Sequence, residues 1–415
     1  MSLQFITGNS GNGKTKYLFN RIVKEAKANP RDNYLVIVPE QFTMQTQRQL
    51  VDLSENKAIM NIDVLSFKRL AYRVFDELGI TNLTVLEETG KNLVLRKLAA
   101  QEADKLGVIG RNLNRIGYIS EVKSLLSELV QYNISPEELG RYIASGMLSD
   151  TLSDKLKDVL VLYEAFEKFM QDKYITAEEI LNVLSNVAEE SAILRNSVIA
   201  FDEFTGFTPI QNQLIKKLFV ISKKIYVTLT IDCREDIFKS RGMQELFDMP
   251  KRTVKSLTEM AAFYGIEVEE PIILDKNYRL AENEELSFME QQLFRKRRCS
   301  FKKAPKHIHI DCLRDPKQEL TKIARRINEL VRNENLRYRD IAIVTGDVNI
   351  YAGYVREIFD KYNIPYFIDA TQEILFHPFI EFIRSIPDIA AQNFSADAVF
   401  RFLRCGFSEL LDSDI

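Results

Sequence analysis

The sequence predicts an α/β protein in which a parallel sheet is covered by helices on both faces, broken by an all-helical insertion and followed by part of a second α/β unit. Three observations predict this. A short apolar strand at 3–7 feeds directly into a glycine-rich loop and a helix. Strands and helices then alternate up to about residue 83, as they do when parallel strands are joined by helical crossovers. The strand texture vanishes over 84–191 and returns at 197.

In order along the chain, strand 3–7 precedes a helix over 14–28, a buried-type strand at 34–39, a helix over 44–53, a strand at 62–65 and a helix from Phe67. Within 84–191, apolar residues recur at helical spacing over 87–106, 118–132, 136–145, 153–172 and 176–190. Start signals such as Ser135-Pro136-Glu137-Glu138 and Thr176-Ala177-Glu178-Glu179 mark two of these helices. Strands resume at 197–201 and 224–230, with a third near 270–274. The expected division is therefore a first domain from 1–83 and 192–294, a helical insertion at 84–191 and a basic connector at 295–306. A partial second α/β domain at 307–415 follows, with strands at 307–312 and 341–344 around a helix at 318–332, ending in the start of a further helical insertion.

Composition narrows the class. A chain of 415 residues exceeds one ordinary core, so two or three domains are expected. With 46% hydrophobic and 28% charged residues it reads as soluble and globular. A net charge of −3 excludes a uniformly basic coat for nucleic acid and leaves room for a local basic patch. Cys233, Cys299, Cys312 and Cys405 form no C-x-x-C pair, which predicts reduced, mostly buried thiols and neither a disulfide framework nor a metal site from this chain alone. His307, His309 and His377 do not cluster with them. No apolar run reaches membrane-spanning length and no signal-peptide pattern opens the chain, so a cytoplasmic location without a membrane partner is expected.

Two motifs carry chemistry. Gly8-Asn9-Ser10-Gly11-Asn12-Gly13-Lys14-Thr15 fits the P-loop pattern G-x-x-x-x-G-K-[ST], with a strand before it and a helix after it. Its glycines let backbone N–H groups turn toward phosphate oxygens, and the helix start adds partial positive charge. Lys14 would neutralise β/γ-phosphate charge and the Thr15 hydroxyl would ligate Mg²⁺, so ATP and Mg²⁺ are the expected cofactors. The second motif, Val198-Ile199-Ala200-Phe201-Asp202-Glu203, is an apolar strand ending in two carboxylates. Asp202 would hold the metal, and Glu203 would orient and deprotonate the attacking water. An acidic pair after a strand is alone often a helix cap; the upstream loop gives this one its weight.

The text from Ala200 to Gln211 resembles the Walker B segment of superfamily 1 helicases, in which a following glutamine helps couple nucleotide to DNA. The text from Ile231 to Gly242 is similar to their motif III, and Leu274-Asp275-Lys276-Asn277-Tyr278-Arg279 to their motif IV, implying that Arg279 reaches the γ-phosphate. Val64-Leu65-Ser66-Phe67-Lys68-Arg69-Leu70-Ala71 looks like the segment that touches single-stranded DNA, implying Ser66, Phe67 and Arg69 as DNA contacts, although Arg69 reads equally well as a surface residue of the following helix. The opening loop, Ile37-Val38-Pro39-Glu40-Gln41 and Leu65-Ser66-Phe67 together resemble the AddB (RexB) family most closely, and the resemblance covers essentially the whole chain.

That resemblance implies a P-loop NTPase (RecA-like) first domain, an inserted helical domain and part of a second RecA-like domain. It implies an AddA-type helicase-nuclease partner in a heterodimer, and single- and double-stranded DNA as ligands. It also implies a longer natural chain, with the nuclease centre and the iron–sulfur cysteines of the family beyond residue 415, so an iron–sulfur cluster is expected only in the full-length member. Motifs V and VI, with a second arginine for the nucleotide, would likewise lie further on. The sequence departs from the helicase pattern at three places. No adenine-reading glutamine stands upstream of the loop. Glu235 aligns with a γ-phosphate-sensing glutamine, and a carboxylate there would repel a triphosphate. Ser240 aligns with an aromatic that stacks on DNA, a contact worth about 1–3 kcal/mol per base that serine cannot make.

Three functions compete at this point. One is an active DNA-stimulated ATPase or helicase, and another is a P-loop enzyme unrelated to DNA, such as a nucleotide kinase, for which the sequence shows no phosphoacceptor pattern. The favoured expectation is a recognition module that binds nucleotide and DNA, recognising Chi without being the motor, inside an enzyme that processes double-strand DNA ends for recombinational repair. The basic connector reads either as a solvated linker or as a phosphate contact, with Phe294 and Phe301 at its flanks.

Overall fold

A computed structural model describes residues 1–80, 84–108, 110, 116–146, 148–170, 174–295, 299–369, 374 and 376–407. They fall into two compact units, Met1–His307 and Ile308–Ile415. The first unit opens with β1 (Ser2–Gly8), α1 (Lys14–Ala28), β2 (Tyr34–Ile37), α2 (Thr43–Leu53), β3 (Ile62–Leu65) and α3 (Phe67–Leu78). A helical excursion follows: β4 (Val85–Leu86), α4 (Glu88–Gln101), α5 (Ile116–Gln131), α6 (Pro136–Ala144), α7 (Asp150–Met170), β5 (Ile175–Thr176) and α8 (Ile180–Val187). The unit closes with β6 (Val198–Phe201), α9 (Pro209–Ile221), β7 (Lys224–Thr230), α10 (Asp248–Phe263), β8 (Glu267–Val268), β9 (Ile272–Leu274) and α11 (Glu284–Gln292).

Seven strands make one sheet in the order β3-β2-β6-β7-β1-β8, with β9 also paired to β1. Every pairing is parallel. Parallel strands are covered on both faces, which is why β2 and β6 are buried at every position and read as unbroken apolar runs. Alternate side chains serve different cores. Phe5, Ile37, Phe201 and Val227 pack against α3, α9 and α10, whereas Ile6, Val36, Ala200 and Tyr226 pack against α1 and α2.

The excursion has its own core, built from residues such as Leu95, Ile119, Leu126, Leu162 and Phe166. Its neck is the two-stranded parallel pair β4–β5, with Val85 level with Ile175. Lys91 is buried there, and its ammonium pairs with Glu178 at 2.7 Å and Glu88 at 2.9 Å. One expected boundary moves. α8 lay within the anticipated insertion, yet Ile180, Leu184 and Ala188 pack into the core of the sheet beside α3. The independent helical core therefore ends near the neck, and α8 covers the sheet.

α3 docks through an aromatic cluster. The Phe67 ring lies 5.8 Å from that of Phe201, 5.6 Å from Phe204 and 6.3 Å from Phe207. Ser66 caps the helix, its hydroxyl accepting from the Arg69 backbone N–H.

The second unit holds α12 (Pro316–Asn333), α13 (Val348–Lys361), α14 (Pro378–Ala391) and α15 (Ala396–Arg404). Leu320, Ala324 and Ile327 of α12 pack on Ile358 and Phe359 of α13. The strands expected at 307–312 and 341–344 are absent among the described residues, and Ile310 and Val344 are 94% and 93% exposed. Apolar extended text becomes a strand only when a neighbouring strand takes its N–H and C=O groups. Here the His307 N–H goes instead to the Glu285 carboxylate at 2.8 Å and the Ile341 N–H to the Tyr338 carbonyl at 3.2 Å, and no ladder joins these segments among the described residues. The cysteine expectation is also corrected: Cys299 and Cys312 are exposed, while Cys233 and Cys405 are half-buried. Among the described residues, no helix is long and apolar enough to cross a membrane.

Phe67 is 7% exposed. Truncating a buried phenylalanine costs about 3–5 kcal/mol, so Phe67→Ala is expected to lower the urea midpoint sharply. A variant as stable as the parent chain would show that the ring does not anchor α3.

Candidate functional site at the carboxyl edge of the sheet

In the parallel register Gly8 is level with both Thr230 and Leu274, and Phe201 with both Ile37 and Val227. The loops that follow β1, β6 and β9 therefore leave the same edge of the sheet, where open α/β sheets place their ligands.

The glycine-rich loop is held from outside. Gly11 has φ +89°, and a β-carbon on it would lie 2.8 Å from Cβ of Arg279 and from Oδ1 of Asn277, so only glycine allows this approach. The Tyr278 N–H donates to the Gly11 carbonyl at 3.0 Å, and the Asn277 amide to the Ser10 carbonyl at 2.9 Å. Gly13, at φ +78°, turns the chain into α1. Asn9 and Asn12 are buried and serve the loop itself. Asn9 donates to Glu290 at 2.7 Å and accepts from the Cys233 N–H at 2.9 Å, while Asn12 donates to the Leu274 carbonyl at 2.6 Å.

A cleft of ≈ 810 Å³ opens beside the loop. Ser10, Gly11, Gly13, Lys14, Thr15, Asp202, Glu203 and Arg279 line it, together with Gln45 and Gln49 of α2. Gly8, Asn9 and Asn12 do not line it. Two residues that sequence reasoning missed also belong here. The Tyr278 ring is exposed and lies next to Gly13. Thr228, which lines the cleft from β7, donates its hydroxyl to Asp202. Tyr278 stood beside Arg279 in plain view, whereas Thr228 becomes visible only through the β6–β7 register.

The charges are arranged around Thr15, whose hydroxyl sits 3.3 Å from both Asp202 Oδ1 and Glu203 Oε1. Lys14 Nζ donates to the Gly8 and Asn9 carbonyls at 3.1 Å each, and burial lowers its pKa. Asp202 is 1% exposed, and burial pushes its pKa up. Its Oδ2 is buried without a hydrogen-bond partner. An orphaned carboxylate oxygen beside a hydroxyl is a donor set that suits a hard cation. No group of three His, Cys, Asp or Glu residues able to hold a metal occurs among the described residues, so such a cation would draw its other ligands from solvent or from a bound anion. Glu203 is exposed and has φ +64°, a left-handed backbone that a residue with a side chain rarely adopts.

The remaining expected residues lie elsewhere. Ser66 is buried and donates to Glu40, and Phe67 packs in the aromatic core. Arg69 is half-exposed but pairs with Glu40 at 2.9 Å. Gln211 closes the capping box of α9, accepting from the Thr208 N–H at 2.9 Å. Glu235 does not line the cleft; its carboxylate pairs at 2.7 Å with the buried Lys251 of α10, which removes the repulsion expected of it. Ser240 donates to Asp248. In the basic connector, Arg295 is neither a free linker residue nor a free cation. Its guanidinium is bound at 2.9 Å to buried Asp232, whose pKa falls to about 2 because the bonds and charges of Arg234 and Arg295 outweigh burial. Residues 296–298 lie outside the described residues. Phe301 packs against Phe288, whereas Phe294 is exposed.

Fold and site together define an α/β protein whose glycine loop, lysine, hydroxyl and acid pair share one edge of a parallel sheet. A family model described as "ADDB, N-terminal" matches residues 5–290, and the chain belongs to that family. It is 38% identical over 420 residues to the B subunit of the ATP-dependent helicase/deoxyribonuclease of Lachnoclostridium phytofermentans, covering 100% of this chain and 36% of that protein. The like-named proteins of Clostridium acetobutylicum and Clostridioides difficile are 33% and 32% identical, again over 100% of this chain and 36% of theirs. The chain thus spans 36% of the length of these curated relatives.

Two outcomes follow from the geometry. A left-handed residue with a β-carbon carries about 1–2 kcal/mol of strain, part of which glycine gives back through a freer unfolded chain. Glu203→Gly is therefore expected to be at least as stable as the parent in urea, and more stable than Glu203→Ala; the reverse order would show that the backbone there is not strained. The second outcome concerns pH. The folded chain holds the Asp202 proton more tightly than the unfolded chain, where the usual value is 3.8. The group therefore favours folding below that value, and its contribution is lost as pH rises through the raised folded value. In chelator, Asp202→Asn is expected to melt higher than the parent at pH 7, with the gap closing toward pH 4. A gap independent of pH would show that the buried charge is not its source.

Proposed function

We propose that the chain binds ATP and Mg²⁺ at this edge, as the helicase-like part of the B subunit of an ATP-dependent helicase-nuclease. The observation that carries the reading is the convergence of Lys14, Thr15 and the unpartnered Asp202 Oδ2 beside a loop held open for an anion. The loop amides and the start of α1 would take the phosphates, and Lys14 would exchange its carbonyl partners for phosphate oxygens. Thr15 and Asp202 would hold Mg²⁺, which when bound neutralises the terminal phosphates. Glu203 would orient water, Arg279 would meet the phosphate end, and the exposed Tyr278 ring would offer a face to the base. On this reading 1–83 and 192–294, joined by α8, form a RecA-like domain, the rest of 84–191 its helical insertion, 295–306 the connector and 307–415 part of a second RecA-like domain.

The relatives' names speak of a helicase and a deoxyribonuclease, and this chain covers 36% of their length. For this chain we infer single- and double-stranded DNA as ligands, an AddA-type subunit as partner and a role in processing DNA ends for recombinational repair. Within it the chain recognises DNA (Chi) and is not the motor. Supporting this, Glu235 is committed to Lys251 and Ser240 to Asp248, and these stand where motor helicases carry a phosphate sensor and a base-stacking ring. A second reading, active DNA-stimulated hydrolysis, draws on Glu203 remaining exposed beside Thr15.

Calorimetry with Mg-ATP is expected to show binding that Lys14→Ala weakens a hundredfold or more. With single-stranded DNA present, the isolated chain is expected not to displace streptavidin from a biotinylated DNA end. Absence of binding at millimolar Mg-ATP would defeat the nucleotide reading, and displacement would defeat the recognition reading in favour of the motor.

A further inference from the structure

We propose that a second groove, between the helical excursion and the outer faces of α9 and α10, binds single-stranded nucleic acid by stacking its bases on exposed rings. The inference rests on the reading that this chain handles DNA, and it places a contact surface that shares only Pro209 with the motif segments singled out in the sequence. The groove has a volume of ≈ 560 Å³. Tyr132 and Asn133 enter it from the end of α5, Gln213 and Lys216 from α9, and Phe263 and Tyr264 from the end of α10.

Three aromatic residues are exposed together here, Phe263 at 83%, Tyr132 at 62% and Tyr264 at 40%. The Phe263 and Tyr264 rings stand 5.0 Å apart and edge to face, at 82°, so one ring braces the other. A chain of this size has ample core in which to bury such rings, and it leaves these in water. The Asn212 amide beside them donates to the Phe207 carbonyl at 3.4 Å, but other polar groups are unspent. Among the described residues the side chains of Asn133, Gln213 and Lys216 have no hydrogen-bond or ion partner, whereas the one carboxylate in the groove, Glu259, lies 3.8 Å from Lys255.

That combination selects the occupant. Rings supply stacking that accepts any base, because every base has a π-face. Side-chain amides supply paired donors and acceptors for base edges, and a free ammonium supplies a phosphate contact. Recognition of this kind needs unpaired bases, which points to a single strand rather than a duplex. The rings alone would suit a protein interface as well; Lys216, unpaired among the described residues, decides for nucleic acid, since the cores of protein interfaces are depleted in lysine.

The test is fluorescence anisotropy of the chain with a labelled fifteen-residue oligothymidylate, and with an abasic oligomer of equal length, at low salt. The parent is expected to bind the oligothymidylate at least tenfold more tightly than the abasic strand. Tyr132→Ala/Phe263→Ala is expected to lose that preference while binding the abasic strand as the parent does. Both rings are exposed, so circular dichroism should show an unchanged fold. A double variant that keeps the preference overturns the groove and leaves the DNA reading standing. A double variant that binds DNA normally but fails to join its partner subunit overturns it in favour of a protein interface. A parent chain that binds neither strand overturns both.

Discussion

The parallel pairing of β1 with β7 on one side and β8 and β9 on the other is the constraint on which the rest depends. It sets Gly8 level with Thr230 and Leu274, so loops from distant parts of the chain leave the sheet at one edge. Without it Arg279 and Asn277 could not wall the glycine loop, while the neighbouring β6–β7 pairing brings Thr228 to Asp202. Long-range pairing is entropically slow to form, and a helical excursion between β3 and β6 would make it slower. The β4–β5 neck answers this by bringing the ends of the excursion together, after which α8 rejoins the sheet.

At that edge the chain accepts local costs. Asp202 and Lys14 are both desolvated, an Asp202 oxygen has no partner, and Glu203 stands in a left-handed backbone. Each is unfavourable in isolation, and each is tolerated because apolar layers on both faces of the sheet hold the strands rigidly. Concentrated strain and unpaired polarity at the mouth of a cleft mark a place shaped for a ligand more than for stability.

What the sequence disclosed follows the range of the physics involved. The strands of the first unit were legible because doubly covered parallel strands are apolar throughout, and the 8–15 loop because its geometry is local. Phe67 carries two meanings: a Ser-Phe step resembling a DNA-contact segment is also a helix cap followed by a core residue, and Leu70, Ala71 and Val74 on the same buried face supply the second. The partners of Glu235 and Ser240 lie on α10, which no spacing rule could bring to them. The position of α8 was hidden because helical text over 176–190 does not say which core receives it. The segments at 307–312 and 341–344 have strand-like composition, but a ladder is a property of two segments and not of one.

The central claim is that backbone amides of the glycine loop, with one lysine and one metal-holding pair, receive a polyphosphate. Hydrogen exchange of the chain with and without saturating Mg-ATP tests it most directly. The predicted result is slowed exchange concentrated in the amides of residues 10–15 and lost when Mg²⁺ is chelated. Unchanged exchange across that loop, with nucleotide bound elsewhere or not at all, would contradict it.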